Sequence, residues 1–414
     1  MEEINFDCLV LIFNILKNDK KSLHSCLLVN KKWCNIVVPI LWKSYSLDEI
    51  NEKLCNVILS FLPSSSKKLL SDNNIKLPPS TLLKFPLFNN ISFCRYISSN
   101  NMNKIIDIVL KNLCNDHTRR NLMEQEIYKL FISQCKNVKY LYWETRQPLT
   151  LFPRASIFFS QLYKLDIDID YVNSDALYEL AQICKDLNTL SIKSCSRNNP
   201  ELFYLIDAQR NLKKLILDTK VDEKTCKELS KALERNGATL NNLHLSSIDN
   251  IVLSPLTILV NLKKLTIFHW ENYKKVQQYL AIYEFPNLQQ LTFIYDFIHV
   301  KTLLLNCRFL KTIDLKSLDF FINENDNNIG DELLNIFISF FPKSLDEIII
   351  SGLWKYSIDA FNRFFENFRE WPLYHFGIND SYNYAITNDH KIMFRKFINE
   401  GVVKYFNELL LVLD

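Results

Sequence analysis

The C-terminal two thirds of the chain repeats one short pattern of apolar and polar positions. The pattern is L-x-x-L-x-L, in which Leu is often replaced by another apolar residue, and its ten copies begin at Val138, Leu162, Leu187, Leu212, Leu240, Leu262, Leu288, Leu310, Leu345 and Leu373. The intervals are 22 to 28 residues, except for one of 35 residues before Leu345. A single copy arises by chance in an apolar chain, so it is the regular spacing that identifies a repeat.

Each copy predicts a short β-strand, and each interval predicts a helix. The last residues of a copy alternate between apolar and polar, which is the period of a strand, whereas intervals such as "VNSDALYELAQICKDL" have helical periodicity. Such units cannot bury their apolar faces alone, so they stack. The predicted fold class is α/β, a solenoid with short parallel strands inside and helices outside. A helical solenoid of the HEAT type is the alternative.

The polar positions between the inward leucines predict a ligand surface. In a strand these side chains point away from the leucines, here towards the concave side of the solenoid. They are Tyr140, Tyr142, Glu144, Lys164, Asp166, Asp168, Ser191, Lys193, Lys214, Asp218, His244, Lys264, Phe268, Thr292, Asp314, Lys316 and Glu347. Mixed charges with aromatic rings favour a protein target over a nucleic acid.

The first 45 residues predict three short helices. The first carries an apolar stripe of Leu9, Ile12, Phe13 and Leu16, but its other sides are apolar as well. A module of this size has little core of its own, so something else should cover the remaining apolar side of the helix. A second helix follows, and Asn30 can cap a third helix around Pro39. Trp33 and Trp42 are expected to begin a core shared with the next helices.

These residues resemble the F-box family. "INFDCLVLIFNIL" is similar to the family's L-P-x-E-hydrophobic-L-x-x-I-F-x-x-L pattern, and "LHSCLLVNKKWCNIVVPILW" is similar to its L-x-x-C-x-x-V-[NC]-K-x-W segment with the P-x-L-W extension of fungal members. Asp7 stands for the usual Glu, and Asn5 replaces the usual proline. The resemblance implies contact with a Skp-type adaptor, and through it with a cullin scaffold. The implied contact residues are Ile4, Asn5, Leu9, Ile12, Phe13, Leu16, Leu23, Cys26, Val29, Lys31 and Trp33.

The repeats resemble leucine-rich repeats of a degenerate kind. That family places Asn or Cys three residues after the last Leu, and only Cys195 matches, because Trp270, Asp296 and Leu353 stand there in other units. An F-box joined to leucine-rich repeats resembles the substrate receptors of SCF-type cullin-RING ubiquitin ligases, which are not catalytic. Two alternatives stay open. The chain is a standalone scaffold whose N-terminal helices only cap the repeats, or it is an enzyme built on a solenoid.

The segment between the module and the repeats predicts further helices. The apolar pattern indicates helices over 44–62, 103–113 and 118–134, whereas Pro78, Pro79 and Pro86 indicate an irregular stretch. The predicted organisation is therefore an F-box over 1–45, a helical connector and cap over 46–134, and repeats over 135–414.

Composition limits the chemistry. The net charge of +3 gives no electrostatic footprint for nucleic acid or a membrane surface. Eleven scattered cysteines, no signal sequence and no long apolar run favour the cytoplasm or nucleus. Five glycines in 414 residues form no phosphate-binding loop, and no zinc spacing occurs. Asp166, Asp168 and Asp170 could hold a cation but more simply form a solvated strand end. No cofactor or metal is expected.

Overall fold

The computed structural model describes most of the chain as two compact units. The described residues are 5–44, 50–79, 87–111, 116–194, 200–218, 223–246, 256, 258–268, 278, 282–294, 300–316, 329–351, 355–379 and 386–406. The first unit comprises Met1–Lys193 and Tyr204–Asn211, and the second comprises Ser194–Phe203 and Leu212–Asp414.

The three predicted N-terminal helices are present as α1 (Phe6–Ile15), α2 (Lys20–Cys26) and α3 (Lys31–Ser44). The Asn5 side chain accepts a hydrogen bond from the Asp7 amide at 3.2 Å and so caps α1. Asn30 caps α3 as predicted, because its side chain accepts from the Trp33 amide at 2.9 Å. Helix α3 continues through Pro39, although proline has no amide hydrogen to donate within the helix.

Four helices follow in the connecting segment. They are α4 (Glu52–Ser60), α5 (Ser64–Asp72), α6 (Ser99–Val109) and α7 (His117–Gln134). The predicted helix over 44–62 is described only from α4, since residues 45–49 lie outside the described ranges. Helix α5 was not predicted. Pro63 occupies its N-cap position and the serines tolerate a first turn, so this segment starts a helix instead of ending one. Of the predicted irregular stretch, residues 80–86 also lie outside the described ranges.

Every one of the ten predicted copies overlaps a strand. In the first unit the strands are β1 (Tyr96–Ser98), β2 (Tyr140–Trp143), β3 (Lys164–Asp168) and β4 (Thr189–Lys193). In the second unit they are β5 (Lys214–Asp218), β6 (Asn242–Ser246), β7 (Lys264–Phe268), β8 (Gln290–Ile294), β9 (Thr312–Lys316), β10 (Glu347–Ser351), β11 (Leu373–Asn379) and β12 (Val403–Phe406). Strands β1 and β12 were not predicted, and β1 lies within the segment assigned to the connector.

The strands of each unit are parallel and follow one another in chain order. Helices stand in the intervals: α8 (Ala155–Ser160), α9 (Ser174–Ile183), α10 (Glu201–Asp207), α11 (Glu223–Arg235), α12 (Val300–Asn306), α13 (Ile329–Phe340), α14 (Ile358–Asn367) and α15 (Asn388–Asn399). This α/β repeat fold of the leucine-rich-repeat type confirms the predicted class. The HEAT-type alternative is wrong, because parallel strand ladders run through the repeats.

The core lies on the leucine side of the strands. Leu165 and Ile167 of β3 are fully buried, and the equivalent positions of the other repeats behave in the same way. Burial of each such side chain contributes about 1.5–3 kcal/mol before conformational entropy is subtracted. In the second unit, Phe361, Phe365 and Phe394 extend this core with ring contacts between helices α14 and α15. The buried leucines leave the alternate positions of each strand on the opposite side.

Candidate interaction surfaces

The N-terminal helices have a small core of their own. Its buried members are Leu9, Phe13, Leu23, Ile36, Val37, Ile40 and Leu41. The Phe13 ring meets the Trp33 ring edge-to-face, with their centroids 5.0 Å apart. Leu9, Phe13 and Leu23 are 0–3% exposed, so they hold the module together as core residues. Their predicted contact with an adaptor stays a prediction.

Four further predicted residues border this core. Leu16, Cys26, Trp33 and Trp42 are partly buried and pack against it. Helix α3 also packs against the 3-10 turn Asn90–Phe93, which precedes β1. The two tryptophans thus pack against the core of the module itself. That this core is shared with the next helices stays a prediction, while the contact of α3 shows that the module covers the start of the repeats.

The opposite side of α1 is apolar and exposed. Leu11, Ile12 and Ile15 are 65%, 44% and 80% exposed, and we call these three side chains the outer face of α1. At 100° per residue, Leu11 and Ile15 lie on the side of the helix opposite Leu9 and Phe13, whereas Ile12 lies between the two sides. Of the predicted contacts, only Ile12 belongs to this face. Leu11 and Ile15 were missed, although the all-round apolar character of the helix already indicated a second covered side.

The remaining predicted adaptor contacts are also exposed or undescribed. Val29 is 55% exposed, and Leu28 beside it is 89% exposed. Asn5 and Lys31 are exposed, whereas Ile4 lies outside the described residues. A contiguous chain segment of large exposed aliphatic side chains is unusual on a soluble monomer and typical of a binding surface. These positions stay predictions as contacts.

In the first unit, the strand side opposite the leucines carries Tyr140, Tyr142, Glu144, Lys164, Asp166, Asp168, Ser191 and Lys193, which we call the first strand face. The Tyr142 hydroxyl donates to the Glu144 carboxylate at 2.6 Å, and the Lys193 ammonium lies 4.9 Å from the centroid of the Tyr142 ring. Burial, the bond to Glu144 and nearby carboxylates raise the pKa of Tyr142 above its ordinary value. The phenol therefore stays protonated and remains a donor at neutral pH.

A buried serine supports this face from behind. The Ser99 hydroxyl donates to the Tyr142 carbonyl at 3.1 Å and accepts from the Glu144 amide at 2.8 Å. It also accepts from the hydroxyl of Tyr128, which is fully buried. Ser99 thus fixes the backbone on both sides of Trp143, and with it the direction of the two side chains. Neither the motif nor the spacing singles this residue out.

The three aspartates of "DIDID" do not converge. Asp166 pairs with Lys164 at 2.9 Å between Oδ2 and Nζ, and Asp168 is 7% exposed and accepts from the Asp170 amide at 3.1 Å. Within the described ranges, no group of three acidic, histidine or cysteine side chains is arranged to hold a metal ion. The aspartates therefore serve hydrogen bonds and an ion pair at the strand end.

In the second unit, the same side of the strands carries Lys214, Asp218, His244, Lys264, Phe268, Thr292, Asp314, Lys316 and Glu347, which we call the second strand face. The Phe268 ring contacts the His244 ring edge-to-face, with their centroids 5.6 Å apart. The Lys316 ammonium lies 4.5 Å from the centroid of the Phe268 ring. The His244 Nε2 is 2.9 Å from the Ser246 hydroxyl oxygen. Burial lowers the pKa of His244, so the imidazole is neutral at neutral pH.

Asp314 lies in the same row as Thr292 on β8 and Ile349 on β10. Its Oδ1 is closed to solvent and has no hydrogen-bond partner among the described residues, and burial raises the pKa of the carboxyl group. In the neighbouring row, the Thr312 hydroxyl donates to Glu347 at 3.1 Å. Along the strands, the predicted residues alternate with the buried leucines. Target binding by them stays a prediction.

Two of the described cysteines are buried in the core and are not reactive thiols. Burial raises the pKa of the Cys184 and Cys307 thiols to about 12, so both remain neutral core residues. The residues at the predicted repeat-turn position, Cys195, Trp270, Asp296 and Leu353, lie outside the described residues. No helix in the described ranges combines the length and the apolar character needed to cross a bilayer.

Comparison with known proteins gives a likeness in structure but none in sequence. No family model matches the chain, and no curated protein sequence is significantly similar to it. Among solved structures, the chain is similar to one in the crystal structure of the Rad7 and Elc1 complex in yeast, with 15% sequence identity and a TM-score of 0.38. The match covers 98% of this chain and 81% of that chain. The assignment of the fold therefore rests on the strand ladders and helices themselves.

Proposed function

We propose that this protein is the substrate-recognition subunit of an SCF-type cullin-RING ubiquitin ligase that acts in the cytoplasm or nucleus. The N-terminal helices bind a Skp-type adaptor and through it a cullin scaffold, and the strand faces bind a protein target. The chain contributes no catalytic group and acts by holding the target near the conjugating enzyme. The resemblance of the first 45 residues to the F-box motivates this function.

The single structural observation that supports the proposal is the outer face of α1. Leu11, Ile12 and Ile15 remain exposed although the module already has a core and α3 already covers the start of the repeats. A helix that served only as a cap would present polar residues to solvent on this side. Burial of the three side chains against an adaptor would supply about 1.5–3 kcal/mol each before the costs of association.

The alternative function is a standalone interaction scaffold, in which the N-terminal helices serve only as a cap. One observation favours it: α3 does pack against the turn Asn90–Phe93 ahead of β1. This contact explains α3 but leaves the outer face of α1 without a role. The two functions therefore differ in whether Leu11, Ile12 and Ile15 contact a partner.

A pull-down with a purified Skp-type adaptor separates the two. The test variant is Ile12→Asp combined with Ile15→Asp, because both side chains are exposed and the core is left intact. We expect it to weaken adaptor binding at least about 100-fold, since two apolar anchors are lost. The matched control is Ile157→Asp, which places the same substitution at a 51% exposed isoleucine on α8.

The control should bind like the unmodified chain, and circular dichroism should show the same helix content in all three proteins. Binding that only the double variant loses supports the ligase receptor. If the unmodified chain does not bind the adaptor, or if the double variant binds equally well, the receptor function is wrong and the scaffold remains.

A further inference from the structure

Two neighbouring rows of residues in the second unit carry cations and no carboxylate from β5 to β9. The first row holds the residue just before each strand, and the second row holds the first residue of each strand. The first row is Lys213, Asn241, Lys263, Gln289 and Lys311, and the second row is Lys214, Asn242, Lys264, Gln290 and Thr312. The whole chain has 46 acidic against 49 basic residues, so a surface with five lysines and no acid departs from its average. We call these five lysines the lysine edge.

The charges of the lysine edge are not compensated in the free chain. Lys214 is half-buried, and the other four lysines are exposed. Within the described ranges, none of the five ammonium groups forms an ion pair with a carboxylate. The acidic residues of the same strands, Asp218 and Asp314, lie in later rows. Like charges about 10 Å apart still repel one another at physiological salt, so an anionic partner would relieve this repulsion.

The lysines stand on every second strand. Strands β5, β7 and β9 carry them, whereas β6 and β8 carry a pair of amide side chains in the same two rows. Neighbouring strands are roughly 4.8 Å apart, so successive lysine positions are about 9.6 Å apart. An extended peptide advances about 3.3 Å per residue, so every third residue of a segment that crosses the strands reaches a lysine position. On β10 the rows continue with Asp346 and Glu347, which end the basic surface.

The types of side chain favour a peptide over a nucleic acid. The ten positions of the two rows contain no aromatic ring on which a base could stack and no arginine for a bidentate contact with phosphate. The amide side chains on β6 and β8 can both donate and accept hydrogen bonds, as the backbone of an extended peptide requires. Carboxylates on a peptide therefore match this surface better than the phosphates of a nucleic acid.

We propose that the lysine edge binds an acidic, extended segment of the protein target, with Asp or Glu at every third residue opposite β5, β7 and β9. This inference rests on the proposed function and names the chemical class of the target segment. Charge complementarity identifies the occupant, because five uncompensated ammonium groups attract carboxylates. Asp346 and Glu347 limit the acidic segment, since they repel a further carboxylate at β10.

The test is fluorescence anisotropy of labelled synthetic peptides in the presence of the full chain. The probe is a peptide of four Glu-Ser-Ser repeats, and its uncharged counterpart has four Gln-Ser-Ser repeats. We expect the acidic peptide to bind at least about tenfold more tightly than the uncharged one. Its binding should weaken when the salt concentration is raised from about 0.05 M to about 0.2 M.

A double variant locates the binding to the lysine edge. Lys263→Gln combined with Lys264→Gln removes the central pair of cations and should weaken binding of the acidic peptide about tenfold or more. The matched control is Lys53→Gln combined with Lys68→Gln, which removes the same charge from exposed positions on α4 and α5. The control should bind within about twofold of the unmodified chain, because net charge alone has a weak effect on a local contact.

Three outcomes would overturn the proposal: no binding of the acidic peptide, equal binding to the double variant and the control, or tighter binding of a labelled oligothymidylate of the same length. A peptide with the same composition but its four Glu residues in succession should bind more weakly. Equal binding of the two acidic peptides would overturn the three-residue spacing. Adaptor binding by the N-terminal helices is measured separately, so failure here leaves the result of the adaptor pull-down unaffected.

Discussion

The outer face of α1 and the second strand face are exposed in different ways. On α1, Leu11, Ile12 and Ile15 are large aliphatic side chains that are 44–80% exposed. On the strands, Phe268 and Lys316 contact each other and are half-buried. Burial of apolar surface stabilises a complex strongly but without directional preference. Polar groups fixed in position stabilise the complex with a complementary partner and destabilise complexes with others. On the proposed function, the first surface would bind the adaptor and the second would select the target.

The same contrast divides α1 itself. Phe13 is 1% exposed and Ile15, two residues later, is 80% exposed, although both are large apolar residues. We expect Phe13→Ala to destabilise the module by about 3–5 kcal/mol, because it leaves a cavity under Trp33. Ile15→Ala should change the unfolding free energy by no more than about 0.5 kcal/mol. Hydrogen exchange of α1 to α3, followed by mass spectrometry, would measure both. Equal protection from hydrogen exchange in the two variants would contradict the assignment of Phe13 to the core and Ile15 to the surface.

The next largest loss of stability is expected from removing the Ser99 hydroxyl, which supports the first strand face. Ser99→Ala removes the acceptor of the buried Tyr128 hydroxyl and the partner of the Glu144 amide, so we expect a loss of about 1–3 kcal/mol in urea unfolding. Ser133→Ala is the matched control, because that hydroxyl only donates to the Leu130 carbonyl within α7. It should cost less than about 0.5 kcal/mol. A Ser99 variant as stable as this control would show that the face does not depend on its support.

A smaller effect is expected from the cation on Tyr142. Lys193→Gln removes the ammonium above the ring, and coupling to Tyr142→Leu in a double-mutant cycle should be about 0.5–1 kcal/mol. Urea unfolding of the four proteins gives this coupling energy. A coupling of zero would show that the contact holds the two side chains in place without stabilising the fold.

The smallest expected effect concerns the charge of His244 on the second strand face. Burial is the main cause of its lowered pKa; Lys214 and Lys316 also lower it, and Asp218 opposes them. The folded-state pKa therefore lies below the ordinary value near 6.5. Above that pH the neutral imidazole contributes fully to stability, and the contribution is lost as the pH falls through the folded-state pKa.

Unfolding of the unmodified chain and of His244→Gln over pH 5 to 8, in steps of about half a unit, checks this sign. We expect the stability difference between the two proteins to be constant above about pH 6.5 and to shrink below it. A difference that grows on acidification would mean that the imidazolium is the stabilised form. NMR titration of the imidazole in the full chain gives the same pKa independently.

The sequence was sufficient for the strands because period-2 alternation at a regular spacing leaves little freedom. Residues Leu165 and Ile167 point inward and Asp166 outward, as the pattern requires. Strand β1 was missed because it has three residues, and its two buried ones, Ile97 and Ser98, are adjacent and show no alternation. The strand forms because its backbone pairs with β2 in a parallel ladder. Periodicity detects a strand only when the strand is long enough to show it.

The surfaces were less predictable. In α1 most sides are apolar, so periodicity could not tell Phe13, which is buried, from Ile15, which is exposed. The family resemblance marked Leu9, Phe13 and Leu23 equally with Ile12, because a motif records core and contact residues together. Contacts that cross strands, such as that between Phe268 and Lys316, depend on register and side-chain direction, and neither is visible in a single sequence.

The strand ladder also makes the chain tolerant of changes in length. Thr312 and Glu347 stand side by side in register although 35 positions separate them in the numbering, while Lys264 and Gln290 do the same across 26. Extra residues in an interval leave the rows of the ladder in place. Insertions and deletions between strands can therefore accumulate without moving a single residue of the strand face out of its row, and such a protein can diversify in length while keeping what it recognises.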